Sequence, residues 1–115
     1  MADCLFCDIA EGRIPADIVH QDEALVAFRD INPQAPQHVL VIPRRHLEAV
    51  RDADGPEDEA LVGRVMVAAA AIATDLGLDP EGYRLVSNTG VAGGQSVFHL
   101  HVHILGGRTM KWPPG

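Results

Sequence analysis

The chain has 115 residues, 47% of them hydrophobic and 22% charged, which predicts one hydrophobic core and a single domain over residues 1–115. Nine Lys and Arg against sixteen Asp and Glu give a net charge of −7, which argues against a nucleic-acid or anionic-membrane partner held by a general positive field. The N-terminus has no signal-peptide pattern, and the longest apolar stretch, residues 65–73, is too short to span a membrane. We therefore expect a cytoplasmic protein with no membrane partner.

The first third of the chain predicts a short helix followed by three strands. Residues 4–12 indicate a short helix or turn that ends at Gly12. Residues 18–20 and 25–28 flank the polar pair at 21–22 and predict a β-hairpin. The two prolines within residues 32–36 indicate a loop, and residues 38–42 predict a buried strand that Pro43 stops.

The remainder predicts the longest helix and two further strands. Residues 46–53 favour a short helix. The clearest helical pattern follows, with Asp54 or Gly55 as the cap, Pro56 in the first turn, an apolar stripe up to Leu76 and Gly77 at the end. Strands are predicted at 83–88 and 97–105, joined by a flexible loop at 89–94, and residues 106–115 form an extended tail. These elements predict an α+β domain with a mostly antiparallel five-stranded sheet.

Three of the six histidines alternate with aliphatic residues near the end of the chain. On a regular strand, His99, His101 and His103 point to one face, with the outer two roughly 13 Å apart. One metal ion cannot easily bind all three, so the row is better suited to an extended ligand such as a phosphate chain. A neutral imidazole can attack phosphorus while a neighbouring imidazolium holds an oxygen. The preceding residues 93–96, Gly-Gly-Gln-Ser, offer backbone and side-chain donors for phosphate. The alternatives are a solvated histidine face or a fortuitous metal site.

The motif at 99–105, His-Leu-His-Val-His-Ile-Leu, resembles the signature of the histidine triad (HIT) family. The resemblance extends over nearly the whole chain, including residues 27–38, 41–46 and 94–97. The ending Trp-Pro-Pro-Gly at 112–115 is similar to that of the nucleoside phosphoramidase (Hint) branch. This resemblance implies a HIT-like fold in a homodimer with one continuous sheet, formed through the strand at 83–88 and the long helix. It also implies that Trp112 reaches the active site of the partner subunit.

The resemblance also implies a role for each matching residue. His101 is the nucleophile that forms a covalent nucleotidyl-histidine, His103 binds a phosphoryl oxygen, and His38 orients the nucleophile from behind. Ser96, with Gly94 and Gln95, lies at the phosphate or leaving group. Asp30 binds the ribose hydroxyls, Asn88 lies near the phosphate and ribose, and Phe28 and Ile31 line the purine pocket. From spacing alone, core packing is the simpler interpretation of Phe28 and Ile31.

Cys4 and Cys7 form a Cys-x-x-Cys pair, which in a cytoplasmic protein indicates metal binding or redox chemistry. The resemblance implies that His46 and His99 complete a structural zinc site, which would leave His101 and His103 for catalysis. A redox dithiol or a pair of small buried hydrophobic residues are the alternatives. No catalytic cofactor is expected.

The predicted function is hydrolysis of the P–N bond in purine nucleoside 5′-phosphoramidates. The nearest alternative keeps the chemistry but uses a dinucleoside polyphosphate or a nucleotidyl acceptor as substrate. An alternative of another class is a non-catalytic, nucleotide-binding scaffold protein.

Overall fold

A computed structural model of the chain describes residues 4–115 and confirms the predicted α+β architecture. The two α-helices are α1 (Leu5–Ala10) and α2 (Gly55–Asp75), and a 3₁₀ turn spans Val50–Asp52. The strands are β1 (Ile18–Gln21), β2 (Leu25–Arg29), β3 (Gln37–Pro43), β4 (Tyr83–Val86) and β5 (Val102–Gly106).

The five strands form one sheet in the order β1-β2-β3-β5-β4, and every neighbouring pair is antiparallel. The hairpin of β1 and β2 is as predicted. β3 lies at the centre and is buried along nearly its whole length, in accord with its continuous apolar sequence. Its register with β5 places Leu40 opposite His103 and His38 opposite Leu105.

The two faces of the sheet carry separate hydrophobic clusters because side chains alternate along each strand. The first cluster packs β2 and β3 residues such as Ala27 and Val41 against Val65 and Ile72 of α2. The second packs their sequence neighbours Val26 and Ile42, with Phe28 and Leu40, against α1. The short N-terminal helix therefore covers one face and the long helix covers the other.

The long helix has nearly the predicted bounds. Asp54 is its N-cap residue, although the capping bond runs from the Asp54 N–H to the carboxylate of Asp58 at 2.8 Å rather than from the Asp54 side chain. Gly77 adopts a φ of 79°, which suits the left-handed residue after a helix end. Among residues 4–115, no helix combines the length and the apolar character that a membrane crossing needs.

Three of the predicted elements are wrong in part. The helix predicted at 46–53 is reduced to the 3₁₀ turn, because the Leu47 carbonyl accepts from the Leu100 N–H at 2.6 Å and the Glu48 carbonyl accepts from the Gln95 side chain at 2.7 Å. Those bonds hold the segment extended. The strand predicted at 97–105 begins only at Val102, so His99 and His101 precede β5. The strand predicted at 83–88 ends at Val86.

Candidate active site

A cavity of about 570 Å³ lies between α1 and the sheet, and the predicted nucleophile is part of its wall. Of the predicted site residues, six line this cavity: Phe28, Asp30, Ile31, Ser96, His101 and His103. Phe28 is buried and packs edge-on against Phe6 with ring centroids 5.4 Å apart, whereas Ile31 is fully exposed at the cavity mouth. The cavity therefore has an apolar wall and a polar end, as expected of a small-molecule site.

Much of the apolar wall comes from the N-terminal helix, although no pattern in the sequence assigned this helix to the site. Leu5, Phe6 and Ile9 of α1 line the cavity. The sequence contains one indication of this role, because apolar residues are interleaved with the two cysteines in this segment. A six-residue helix cannot be stable on its own, so such residues must pack against another part of the chain.

The imidazole of His101 is buried and held in one orientation. Its Nδ1 lies 2.7 Å from the carbonyl oxygen of His99. Because a carbonyl can only accept, Nδ1 carries the proton, and Nε2 of the neutral ring has a lone pair. Phe6 packs edge-on against the ring with centroids 5.1 Å apart, and the His103 ring lies 5.0 Å away. The neutral, oriented ring is thus suited to nucleophilic attack.

A chain of hydrogen bonds fixes the protons of His38 and His103. The Gln34 N–H donates to Nδ1 of His38 at 3.0 Å, so Nε2 of His38 carries the proton. That Nε2 lies 2.9 Å from Nδ1 of His103 and donates to it. Nε2 of the neutral His103 ring therefore carries a proton. Asp30 lies 3.5 Å from Nε2 of His38. His38 thus contacts His103 rather than the predicted nucleophile, which corrects the expected position of the orienting histidine.

The loop before the triad uses its backbone N–H groups differently from the prediction, which had them available to bind phosphate. The N–H groups of Gly93, Gly94 and Gln95 donate to carbonyls of Gly90 and Val91 within the loop. The buried Gln95 amide donates to the Glu48 and Val97 carbonyls and accepts from the Gly90 N–H. The Gln95 side chain and these three N–H groups therefore brace the loop, and Ser96 is the residue of 93–96 that reaches the cavity.

The predicted residues Asn88 and Gly94 lie next to each other beside this loop. A Cβ on Gly94 would stand 3.8 Å from the Asn88 amide. Gly93 is required more strictly, because a Cβ there would lie 2.4 Å from the Thr89 carbonyl oxygen. Neither Asn88 nor Gly94 is among the residues that line the cavity.

The histidines of the site favour the neutral form. Burial lowers the pKa of His38, His99 and His101 below that of free histidine. Burial, with the charges of His101 and His38, lowers the pKa of His103 to about 4. At neutral pH the site therefore offers a neutral nucleophile and a neutral hydrogen-bond donor rather than imidazolium ions.

We expect these lowered pKa values to make the fold sensitive to acid. The unfolded chain protonates its histidines near their ordinary pKa of about 6.5, whereas native His103 resists protonation until about pH 4. The unfolded state then binds more protons, so the free energy of unfolding falls as the pH drops from about 6.5 towards 4. Urea unfolding across this range measures the slope, and His103→Asn should make it shallower. An unchanged slope in this variant would contradict the assignment.

A second cluster lies at the start of α1 and contains the four residues predicted to bind zinc. Nδ1 of His99 lies 3.3 Å from Sγ of Cys4 and 3.5 Å from Sγ of Cys7, and Nδ1 of His46 lies 3.3 Å from Sγ of Cys7. Nε2 of His99 donates to the Pro43 carbonyl at 2.8 Å, which leaves its Nδ1 lone pair directed at the sulfurs. The four ligand atoms all lie within 4.8 Å of one another.

The spacing of this cluster fits a tetrahedral zinc ion. Zinc–sulfur bonds of about 2.3 Å and zinc–nitrogen bonds of about 2.05 Å place sulfur and nitrogen about 3.6 Å apart at a tetrahedral angle. The three observed distances of 3.3–3.5 Å are close to this value. Burial and the neighbouring Cys4 sulfur raise the pKa of Cys7 to about 11, so a metal would have to displace the thiol proton.

The known proteins that are similar to this chain in sequence and fold are histidine triad (HIT) proteins. The HIT domain family matches residues 11–110. An uncharacterized HIT-like protein of Synechococcus elongatus is 51% identical over 113 residues, which are 98% of this chain and 97% of that protein. A HIT family hydrolase from Legionella pneumophila superposes with a TM-score of 0.94 at 49% identity, covering 98% of this chain and all of the other. A histidine triad nucleotide-binding protein from Candida albicans has a TM-score of 0.81 at 28% identity, covering 96% and 83%.

Proposed function

This chain belongs to the HIT domain family and has the fold of the HIT family hydrolases, and from that premise we propose that it hydrolyses purine nucleoside 5′-phosphoramidates at the P–N bond. In this proposal His101 forms a covalent nucleotidyl intermediate, and the products are the nucleoside monophosphate and an amine.

One observation carries the proposal, namely the pair of fixed imidazoles at the polar end of the cavity. His101 presents a lone pair at Nε2 because its Nδ1–H is bound to the His99 carbonyl. His103 presents an Nε2–H because its Nδ1 accepts from His38. A nucleophile beside a donor for a phosphoryl oxygen is what nucleotidyl transfer to histidine needs.

The rest of the cavity supports a nucleotide as ligand. A volume of about 570 Å³ suits one mononucleotide. The apolar wall with Phe6 and Phe28 would contact the purine. The half-buried Asp30 carboxylate, which already accepts from the Asn32 N–H at 2.8 Å, would accept from the ribose hydroxyls. We place Ser96 at the phosphate or leaving group, with Asn88 and Gly94 near the phosphate.

The proposed reaction has two steps. Nε2 of His101 attacks the α-phosphorus, the P–N bond breaks, and the nitrogen takes up a proton from solvent water and leaves as the amine. The imidazolium that results keeps its Nδ1–H bonded to the His99 carbonyl, and His103 holds a phosphoryl oxygen. Water then attacks phosphorus and returns one proton to solvent, the bond from phosphorus to Nε2 breaks, and the nucleoside monophosphate and the neutral His101 are released.

The test is turnover of adenosine 5′-phosphoramidate beside that of a dinucleoside polyphosphate under the same conditions. We expect a higher kcat/KM for the phosphoramidate. Preference for the dinucleotide would support the alternative hydrolase, and binding without turnover of either would support a nucleotide-binding scaffold.

We also propose that Cys4, Cys7, His46 and His99 hold one structural Zn²⁺. The two short sulfur–nitrogen distances at His99 and the closed, four-ligand set support this proposal over a dithiol. Bound zinc would supply a rigid link between the start of α1, the end of β3 and the triad segment. The proposed reaction contains no step at the metal.

We propose that the active form is a homodimer with a continuous sheet. β4 is an edge strand, and an edge is a site for pairing with a second copy. Trp112 is 84% exposed in the single chain, which is unusual for so large an apolar ring and favours contact with the partner's cavity rim.

Deletion of residues 111–115 is expected to leave a folded dimer but to change the preference among leaving amines. Trp112 would contact the leaving group, so relative kcat/KM values should shift by about tenfold among phosphoramidates that differ only in the amine. The affinity for the monophosphate should stay the same. The assays are kcat/KM for each substrate, equilibrium binding of the monophosphate and sedimentation analysis.

Lys111→Ala serves as the matched control for this deletion. Arg84 donates to the Lys111 carbonyl at 2.7 Å, a contact with the main chain that the substitution retains. The control should match the intact protein. Equal losses for every amine, or dissociation of the dimer on truncation, would contradict the assignment of Trp112.

A further inference from the structure

The candidate metal cluster and the candidate nucleotide cavity share the same short helix. Cys4 and Cys7 bracket the first turn of α1 and lie in the cluster, whereas Leu5, Phe6 and Ile9 line the cavity. Six residues are too few for a helix to keep its place by its own hydrogen bonds. The position of this cavity wall therefore depends on what holds α1 against the sheet.

A second connection runs through the triad itself. The fully buried His99 has its imidazole in the cluster, while its carbonyl holds Nδ1 of His101 at 2.7 Å. Phe6 packs edge-on against both rings, with centroids 6.1 Å from His99 and 5.1 Å from His101. A shift of His99 would thus move both the acceptor that fixes the nucleophile and one neighbour of Phe6.

We propose that metal binding at the cluster and nucleotide binding in the cavity are positively linked, so that Cys4 and Cys7 are positioning residues for the nucleotide wall and for His101. This inference rests on the proposed nucleotide site and zinc site. A metal that joins Cys4 and Cys7 to His46 and His99 fixes α1 before the nucleotide arrives. Nucleotide binding then no longer includes the free-energy cost of ordering α1, so the nucleotide affinity rises.

The same linkage acts in the opposite direction. A nucleotide base packed against Phe6 and Ile9 holds α1 in place and keeps the two thiols beside His46 and His99. Thermodynamic linkage requires that the zinc affinity rise with bound nucleotide by the same factor as the nucleotide affinity rises with bound zinc. We expect a factor of about ten, within the usual range for coupled sites.

The experiment measures both affinities in the full chain. AMP is the nucleotide probe, and its Kd is measured by calorimetry on zinc-loaded and on chelator-treated protein. The zinc affinity is measured by competition with a chromophoric chelator, with and without saturating AMP. Circular dichroism confirms that the metal-free protein stays folded, as expected because the core formed by α2 is separate from the cluster that α1 covers.

Nuclear magnetic resonance supplies a readout at the nucleophile. With zinc bound, the Nδ1–H of His101 should give a protected resonance because it is bonded to the His99 carbonyl. Removal of zinc should broaden or shift this resonance, and restoration of zinc should recover it. A purely structural role of the metal elsewhere in the chain would not move this signal.

Two variants separate local linkage from a general loss of stability. Phe6→Leu changes the shared wall but retains all four candidate ligands, so the linkage factor should fall towards one while the protein still binds one zinc without AMP. Ile72→Val weakens the core on the other face of the sheet, so it should lower Tm and leave the linkage factor unchanged.

The possible results distinguish failure of the linkage from failure of the proposed function and of the zinc site. Equal enhancement of both affinities, with loss of linkage in Phe6→Leu only, would support the proposal. Tight binding of zinc and AMP without mutual effect, or equal loss of linkage in Ile72→Val, would overturn this inference and leave the proposed function intact. Absence of AMP binding to the zinc-loaded protein would overturn both, and absence of zinc binding would overturn the linkage and the zinc site together.

Discussion

Replacement of His101 by Asn is expected to lower kcat/KM for adenosine 5′-phosphoramidate by at least about 10⁴-fold, as for loss of other enzymatic nucleophiles. Asn preserves a side-chain donor to the His99 carbonyl, which now accepts from Nδ1 of His101 at 2.7 Å, but it has no lone-pair nitrogen that can attack phosphorus. Binding should survive, because the affinity comes from the apolar wall and Asp30. Steady-state kinetics and AMP calorimetry measure the two effects separately.

His20→Asn is the matched control for this substitution. His20 is an exposed histidine of the edge strand β1, and it does not line the cavity. Its replacement should leave kcat/KM within about twofold of the unsubstituted protein, as is usual for surface changes. Turnover by His101→Asn close to that of His20→Asn would rule out covalent catalysis by His101.

Replacement of Cys4 by Ser is expected to remove most of the zinc and to lower Tm by about 15 °C. A metal that binds only the folded chain contributes about 4 kcal/mol when its free concentration is a thousand times Kd. For a domain of this size, each kcal/mol corresponds to about 4 °C in Tm. Elemental analysis of protein never exposed to chelators should find close to one zinc per chain before the substitution. Calorimetry of both proteins gives the two Tm values.

The control for this substitution is Ser96→Ala, which removes the hydroxyl of a cavity residue that is not one of the four candidate metal ligands. It should keep its zinc and most of its Tm. Protein that contains no zinc as purified, with Cys4→Ser equally stable, would favour a packed or redox-active cysteine pair.

The fold was predictable wherever a local pattern also matched the final packing. The periodic stripe of α2 and the continuous apolar run of β3 identify both elements correctly, because each buries the face that its pattern indicates. The segment after His46 is different, because its local pattern favours a helix that the final packing does not contain. Its carbonyls are taken by Leu100 and Gln95, which are distant in sequence, and no local pattern reveals such partners.

Six of the predicted residues line one cavity in the structure, but their geometry was less predictable from the sequence. The alternation of 99–104 correctly indicated buried aliphatic residues at Leu100, Val102 and Ile104. It also suggested one regular strand of histidines, whereas β5 begins at Val102 and His99 turns its ring to the cysteines. The role of α1 as a cavity wall depends on tertiary contacts, so the sequence could not assign Phe6 to the site.

Capture of the covalent intermediate is the most direct test of the proposed mechanism. The protein is mixed with adenosine 5′-phosphoramidate, quenched in denaturant at alkaline pH within milliseconds to seconds, digested and analysed by mass spectrometry. The proposed mechanism predicts one adenylyl group on the peptide that contains His101, formed before AMP is released and absent from His101→Asn. Rapid turnover with no adduct at any time, or an adduct on His103 instead, would contradict it.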